Sequence, residues 1–430
     1  MTVMRAVAST LVAVLAGLTL TATAWGQPAP ATLTVEQLLD RAVADHPDLR
    51  AARLDVEAAE GRVLQAGLRP NPMLDLGAQK AFGADNNLTI GLTLPLDLNG
   101  RLEGRVGLAQ AEVVVRRAQL AERERRLRAE IRAKAGDVLA ARRNLATTTA
   151  LLDTNRRALA VVRDRVREGG APTIDENLQL VEVNRLESSQ RLLQGRVEML
   201  SLQLVTLAGI DTIPPPVIMG ELGGVAAPVG VDEAVRRALT TRPDVLAARA
   251  EAAMAAARVR KEEAEGRWDA SVNVGYQRQD FGFDLRGLTD SGGTRAIRDV
   301  FHYVGAGVSV TLPVRNRNQG NVAATRAESR AMDRRRELAE LTARHEVAAA
   351  FAQAAAAHQA VSLYERGVRD VAARNVEVVR QAYELGRGSL LDVIAEQRRF
   401  IEVEAGYTEA LKQAWDATTE IERAVGAPRS

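Results

Sequence analysis

Residues 46–53 read His46-Pro47-Asp48-Leu49-Arg50-Ala51-Ala52-Arg53, and residues 242–249 read Arg242-Pro243-Asp244-Val245-Leu246-Ala247-Ala248-Arg249. Other pairs follow in the same order. Thr93-Leu94-Pro95 returns as Thr311-Leu312-Pro313. Gly169 with Asp175 returns as Gly386 with Asp392, and Gly209 returns as Gly426. The offsets are 196, 218, 217 and 217 residues, so two homologous halves differ mainly by one insertion ahead of the second Thr-Leu-Pro. A repeat of this length dictates architecture, because each half must carry the same elements in the same order.

Between the repeated marks the chain is rich in Ala, Leu, Glu, Arg and Gln, a helix-forming composition. No proline interrupts Gly104 to Glu168, where Ile131, Val138, Leu145, Leu152, Leu159 and Val166 recur every seven residues. A second seam runs through Leu186, Leu193, Leu200 and Leu207. A sustained seven-residue period predicts helices that pack lengthwise, the first about 100 Å long at 1.5 Å per residue. Its counterpart is expected from about Gly320 to Tyr383 as one helix.

Four stretches switch to a period of two, the mark of strands with unlike faces. Leu74, Leu76 and Ala78 alternate with Asp75, Gly77 and Gln79, and Leu88, Ile90, Leu92 and Leu94 with Thr89, Gly91 and Thr93. Val272, Val274 and Tyr276 alternate with Asn273 and Gly275, and Val304, Ala306, Val308 and Val310 with Gly305, Gly307 and Ser309. Each half therefore holds a hairpin, over 72–97 and 269–313, entering the next helix near Pro95 and Pro313. The first turn is short and the second connection, Gly282 to Val300, reads as a long polar loop. Aromatics gather on these hairpins: Phe82, Tyr276, Phe281, Phe283, Phe301 and Tyr303 are candidates for the membrane interface.

Four strands cannot close a barrel, and open edges are costly in lipid. Three chains would supply twelve strands, with cyclic symmetry joining the edges. The long helices would continue the tube away from the membrane. Its far end falls at two glycine-rich breaks: one carries Gly169 and Gly170, the other Gly386 and Gly388. Asp175 and Asp392 open the returning helices. Each serves as a helix cap, as a member of a carboxylate ring at the tip, or as both.

The charges nearly cancel, 57 basic against 55 acidic, which gives no reason to bind nucleic acid. No cysteine is present, which removes disulfides, thiol catalysis and a lipid-modified N-terminal cysteine. Residues 1–26 read as a signal peptide: Arg5, an apolar run from Val7 to Leu20, then Ala24-Trp25-Gly26 before Gln27. Two repeats follow, 27–208 and 231–426, joined by 209–230 with Ile213-Pro214-Pro215-Pro216, an equatorial segment or a plain linker. No nucleophile motif or phosphate-binding loop occurs. None of His46, His302, His345 and His358 is spaced as a helical metal pair, so neither an enzyme, a cofactor nor a resident metal is expected. A soluble periplasmic coiled-coil adaptor would suit the helices and leave the strands unexplained.

The duplicated order helix, hairpin, long helix, tip and helix resembles the TolC family of outer-membrane efflux proteins. So does Gly-x-x-x-x-x-Asp after each long helix, and so does Tyr383-Glu384-Leu385-Gly386 ahead of Asp392. Arg69-Pro70-Asn71-Pro72 and Leu312-Pro313-Val314-Arg315-Asn316-Arg317-Asn318-Gln319-Gly320-Asn321 are similar to the branch serving cobalt–zinc–cadmium and copper–silver exporters. The resemblance implies a mostly α fold with a small β part. A homotrimeric α-barrel in the periplasm would stand on a twelve-stranded barrel in the outer membrane. It also implies partnership with a periplasmic adaptor and an inner-membrane RND-type pump, the cargo being heavy-metal cations or, alternatively, organic solutes. By that likeness the tip closes and opens by untwisting of inner helix pairs, with Asp392 at the constriction and Tyr383 in the closing network. The family's second acidic position is Ala395 here, with Glu396 next to it. Its arginine position is Gly388, with Arg387 adjacent.

Overall fold

The computed structural model describes residues 32–82, 85–223 and 230–426. The expected signal peptide lies outside them, as do Gly83 and Ala84 of the first hairpin turn. The first repeat begins with β1 (Thr32–Thr34), α1 (Val35–Asp45) and α2 (Pro47–Ala66). A capping box starts α1: the Thr34 hydroxyl accepts from the Gln37 N–H and the Gln37 side chain accepts from the Thr34 N–H. His46 caps α2 through Nδ1, which accepts from the Asp48 N–H at 3.2 Å, and Pro47 occupies the first helical position. The strands β2 (Met73–Lys80) and β3 (Asn86–Leu96) lead into α3 (Arg101–Arg167), of 67 residues, and α4 (Thr173–Leu207).

The order then repeats: α5 (Val231–Thr241), α6 (Pro243–Glu265), β5 (Asp269–Leu288), β6 (Thr294–Thr311) and α7 (Gln319–Leu363). After a π-helical turn (Tyr364–Val368) come α8 (Arg369–Glu384) and α9 (Leu390–Val425). Between the repeats, β4 (Val217–Met219) pairs in parallel with β1 and buries Ile218.

The repeated sequence marks meet in space. Gly209 follows α4 with φ +68°, and a Cβ there would lie 2.9 Å from His46 Cδ2 and 3.0 Å from Pro47 Cδ. Gly426 follows α9 with φ +76°, and a Cβ there would lie 2.8 Å from Arg242 Cα. Each repeat thus closes on itself where its last helix ends against the His-Pro or Arg-Pro that starts its second. Only glycine combines that approach with a left-handed backbone. In the second repeat the buried Arg242 adds a bond to the Ala424 carbonyl at 3.2 Å and a fork to Asp244 at 2.7 and 2.8 Å.

Apolar seams hold the helices. Ile131, Val138, Leu152 and Leu159 of α3 are buried, as are Leu186, Leu200 and Leu204 of α4. α7 meets α9 through small residues, Ala354 and Ala357 against Ala414 and Ala417. The expected single helix from Gly320 to Tyr383 is corrected by the π-helical turn, where Gly367 takes φ 153°. The cause is packing against α9. Tyr364 Oη lies so close to Gly406 that a Cβ there would be 2.5 Å away, and the Tyr407 hydroxyl donates to Glu365 at 3.0 Å. Arg369 then lies 4.3 Å over the Tyr407 ring and donates to Glu404 at 2.7 Å.

The two hairpins lie side by side in one antiparallel sheet, β2-β3-β5-β6, leaving β2 and β6 as free edges. The long loop expected from Gly282 to Val300 is also corrected. β5 and β6 stay paired past it, Gly282 with Arg298 and Leu288 with Thr294, around a turn over 289–293. Polar side chains do not stop a ribbon, because its ladder is made by backbone. β3 reaches only Asp280, so the β5–β6 ribbon overhangs the other two strands.

Alanine at Gly426 is expected to cost about 1–2 kcal/mol, for the left-handed backbone alone. Alanine at Gly61, inside α2 with nothing near its Cβ direction, should add about 0.5–1 kcal/mol. Thermal midpoints of the two variants should move in opposite directions, and a shared direction would remove the packed-joint account.

Candidate functional site at the helical tip

Both breaks after the long helices use one motif. At the end of α3, Gly169 takes φ +76°, its N–H bonds the Val166 carbonyl at 3.1 Å, and the Gly170 N–H reaches the Arg165 carbonyl at 2.7 Å. At the end of α8, Gly386 takes φ +70° and bonds the Tyr383 carbonyl at 3.0 Å, while the Arg387 N–H reaches the Ala382 carbonyl at 2.8 Å. The left-handed glycine satisfies carbonyls a helix end would otherwise leave open. Gly388 then brings the chain back past Ala382 and Tyr383. The two loops are therefore interchangeable in geometry, and the four helix ends lie together.

Tyr383 and Asp175 meet across the repeats. The Tyr383 hydroxyl donates to Asp175 Oδ2 at 3.1 Å, joining α8 to the first turn of α4. Burial pushes the Tyr383 hydroxyl pKa above its ordinary value, and the negative Asp175 adds to the shift. Asp392 is exposed and serves as a cap. Its N–H donates to the Ser389 hydroxyl at 3.2 Å, and its Oδ2 accepts from the Ser389 hydroxyl and N–H at 2.6 and 3.1 Å. Those bonds, the hydroxyl's foremost, hold its carboxyl below the ordinary aspartate range. Glu396 pairs with Arg399 at 3.1 Å on its own helix. Arg387 makes no side-chain hydrogen bond or ion pair among the described residues, so the tip contact is Tyr383 to Asp175 without it.

One group sequence reasoning missed stands two turns above Asp175. Glu182 of α4 is buried, with Arg185 at 2.6 Å on its own helix and Arg398 of α9 at 2.9 Å. Burial alone would raise the Glu182 pKa; the hydrogen bonds and charges of the two arginines outweigh it and leave it below the ordinary value. Its seven-residue spacing from Asp175 was the available signal, a carboxylate twice in one seam. Nearby, buried Gln179 donates to Asn155 Oδ1 at 2.8 Å, tying α4 to α3. Leu390, Val393 and Ile394 bury against Leu178, Val379 and Tyr383. The returning helix α9 is thus held to α4 and α8 by one apolar cluster and to α4 by the Arg398–Glu182 pair.

At the other end of the molecule the sheet has unlike faces. Leu74, Leu76, Ile90, Leu92, Val272, Val274, Val304 and Val308 share one face by register, opposite Thr89, Asn273 and Ser309. Of the six aromatics expected at the membrane interface, five divide between the two faces. Tyr276 stands on the apolar face, paired with Val304. Phe281, Phe283, Phe301 and Tyr303 stand on the other, and Phe82 lies fully exposed beside the first turn. The period of two sorts residues by parity, and these four have the odd numbers of the polar face in both strands. Pro95 stands one residue before the end of its strand, opposite Ser271. Past Pro313, Asn318 (φ 58°) starts α7, its side chain donating to Glu262 at 2.7 Å.

Long helices whose ends gather at one tip, joined to a sheet with one apolar face and two open edges, define a subunit of a membrane channel with a helical extension. The family model described as "Outer membrane efflux protein" matches residues 38–209 and 234–427, and the chain belongs to that family. It is similar to the cobalt-zinc-cadmium resistance protein CzcC of Cupriavidus metallidurans, 24% identical over 396 residues, 92% of this chain and 90% of that one. Among solved structures it resembles CusC (TM-score 0.74, 17% identity, 92% of each chain). It also resembles the outer membrane protein VceC of Vibrio cholerae (TM-score 0.69, 18% identity, 91% and 96%). The protein is an outer-membrane efflux channel component, in agreement with the resemblance read from its repeats.

The Glu182 clamp sets a pH dependence. Its folded pKa is below the unfolded value, so its contribution is complete above the ordinary glutamate range, about pH 4.3, and is lost as pH falls through the folded value. Glu182→Gln should therefore flatten the acid side of a melting-temperature profile between pH 7 and 3. Arg398→Ala should cost only about 1 kcal/mol at pH 7, because Arg398 is half exposed and Arg185 remains. A profile identical in Glu182→Gln and the parent protein would remove Glu182 from the clamp.

Proposed function

We propose that three copies form the outer-membrane duct of a tripartite exporter for heavy-metal cations, working with a periplasmic adaptor and an inner-membrane RND-type pump. The observation that carries the assembly is the four-stranded sheet with free edges at β2 and β6. Joined edge to edge, three such sheets give twelve strands and leave no edge in lipid. The helices run on into the periplasm as a tunnel. The cargo reading rests on the likeness to CzcC along nearly the whole chain. The duct itself is passive: the pump selects, and a conduit must release what it carries.

The tip is the gate in this reading. The Tyr383–Asp175 bond and the Arg398–Glu182 pair hold the α8–α9 pair against α4 in the closed form. Asp392, held ionised by its cap, becomes a ring of three carboxylates under threefold symmetry and favours cations at the entrance. Capping and ring formation use the same carboxylate without conflict, since the cap engages Oδ2.

In planar bilayers, Tyr383→Phe should raise the conductance of the resting channel, since it removes a contact of about 1 kcal/mol from each subunit. Asp392→Ala should weaken block by multivalent cations. A strain lacking the protein should lose resistance to zinc, cobalt or cadmium. Sensitivity to organic toxicants alone would replace the metal cargo with organic solutes and leave the duct intact. Absence of any channel would overturn the reading as a whole.

A further inference from the structure

The apolar face of the sheet ends abruptly at the end remote from the helices, and beyond that boundary the same face turns basic. The row Leu76, Ile90, Tyr276, Val304 is apolar apart from one phenol hydroxyl. The next row is Ala78, Leu88, Arg278, His302, and the one after it Lys80, Asn86, Asp280, Val300. Above that, on the overhanging ribbon, Gly282 pairs with Arg298. Lys80, Arg278 and Arg298 therefore share the face of the leucines and valines within three successive rows, and all three reach solvent. Lys80, Asn86, Arg278 and Asp280 line a shallow recess of about 290 Å³.

Beyond the boundary the two faces differ in charge. The opposite, polar face holds Asp299 and Arg295, which balance. Among the described side chains of the basic face, the carboxylate in these rows is Asp280, 3.2 Å from Arg278. Lys80 and Arg298 have no ion pair among the described residues. Tyr276 sits just inside the boundary with its hydroxyl 2.7 Å from His302 Nδ1, apolar ring towards the valines and polar tip towards the bases. An aromatic at the edge of an apolar band with cations directly beyond it is the arrangement that meets anionic headgroups.

We propose that Lys80, Arg278 and Arg298, with His302 beside them, bind the phosphate groups of an anionic lipid in the outer leaflet, once per subunit. The site rests on reading the apolar face as lipid-facing. The acyl chains lie against the leucine and valine face while the phosphates meet the guanidinium and ammonium groups one to three rows above. Bidentate Arg–phosphate pairing supplies the directionality and the spare cations supply the charge. A plain solvated rim would need neither the difference in charge between the faces nor a recess with a paired Asp280 at its wall.

The test titrates the purified full-length assembly in mild detergent with bis-phosphorylated lipid A, with the same lipid dephosphorylated, and with inorganic phosphate, reading bound lipid by native mass spectrometry. Combined Lys80→Gln, Arg278→Gln and Arg298→Gln should weaken binding of the phosphorylated lipid about tenfold or more. Binding of the dephosphorylated lipid should not change. Arg295→Gln, the same single charge loss as Arg298→Gln but on the opposite face, should leave binding as in the parent protein. Arg298→Gln alone, on the free ribbon away from the four-stranded part, should give a partial loss without a folding defect. Equal binding by the combined variant, an equal loss in Arg295→Gln, or displacement of the lipid by millimolar inorganic phosphate would overturn the site. Parent protein that forms channels yet shows no phosphate preference sinks this inference alone. Protein that forms no channels sinks the reading beneath it.

Discussion

An open sheet edge is the constraint on which this molecule depends. Four strands with an apolar face and unpaired β2 and β6 are untenable alone in lipid, where each free backbone group costs several kcal/mol. Completion by other copies fixes the symmetry of everything attached. Helices that leave the strands through tight joints inherit it. Those joints are rigid: Arg101 donates to Asp269 at 2.8 Å, and Asn99 and Arg267 exchange bonds with the opposite segment at 2.7 and 2.9 Å. The start of α3 is thereby tied to the other repeat, while the start of α7 is tied to α6 of its own repeat through Asn318 and Glu262.

Much of this was legible because it is written twice. The His-Pro and Arg-Pro motifs and the glycines after α4 and α9 match in sequence, and they prove to be the two sides of one contact. The strands were readable from parity and the tip from its glycines. The features that escaped are made by side chains far apart in the chain. Gly367 reads as an isolated glycine in a helical pattern until Tyr364 is seen lodged on Gly406. The β5–β6 overhang was hidden by its polarity. Glu182 was hidden because a buried carboxylate depends on Arg398, 216 residues away. The Arg315-Asn316-Arg317-Asn318-Gln319 stretch, a mark of kinship in the sequence, is in space a self-bonded turn that starts α7. The Asn318 N–H bonds Asn316 at 3.0 Å and the Arg317 N–H bonds Gln319 at 2.8 Å.

In the gating proposed above, stability and function share atoms at the tip. The residues that terminate α3 and α8 and begin α4 and α9 are those any helical hairpin needs: left-handed glycines, a Ser-Asp capping box, an acidic first turn. What turns the hairpins into a latch is one phenol and one guanidinium reaching across to α4. Such a latch is weak by the nature of its parts, since each contact is partly solvated. On that reading a modest force on α8–α9 would release it without unfolding the helices.

The overhang of β5 and β6 gives the outer rim a profile. Under threefold symmetry three tall ribbons alternate with three low gaps where β2 and β3 stop short. The mouth of the proposed trimer would be crenellated like a parapet, so that solutes leaving it would pass sideways through the notches as well as straight up. Antibodies or phage approaching from outside would meet the merlons first.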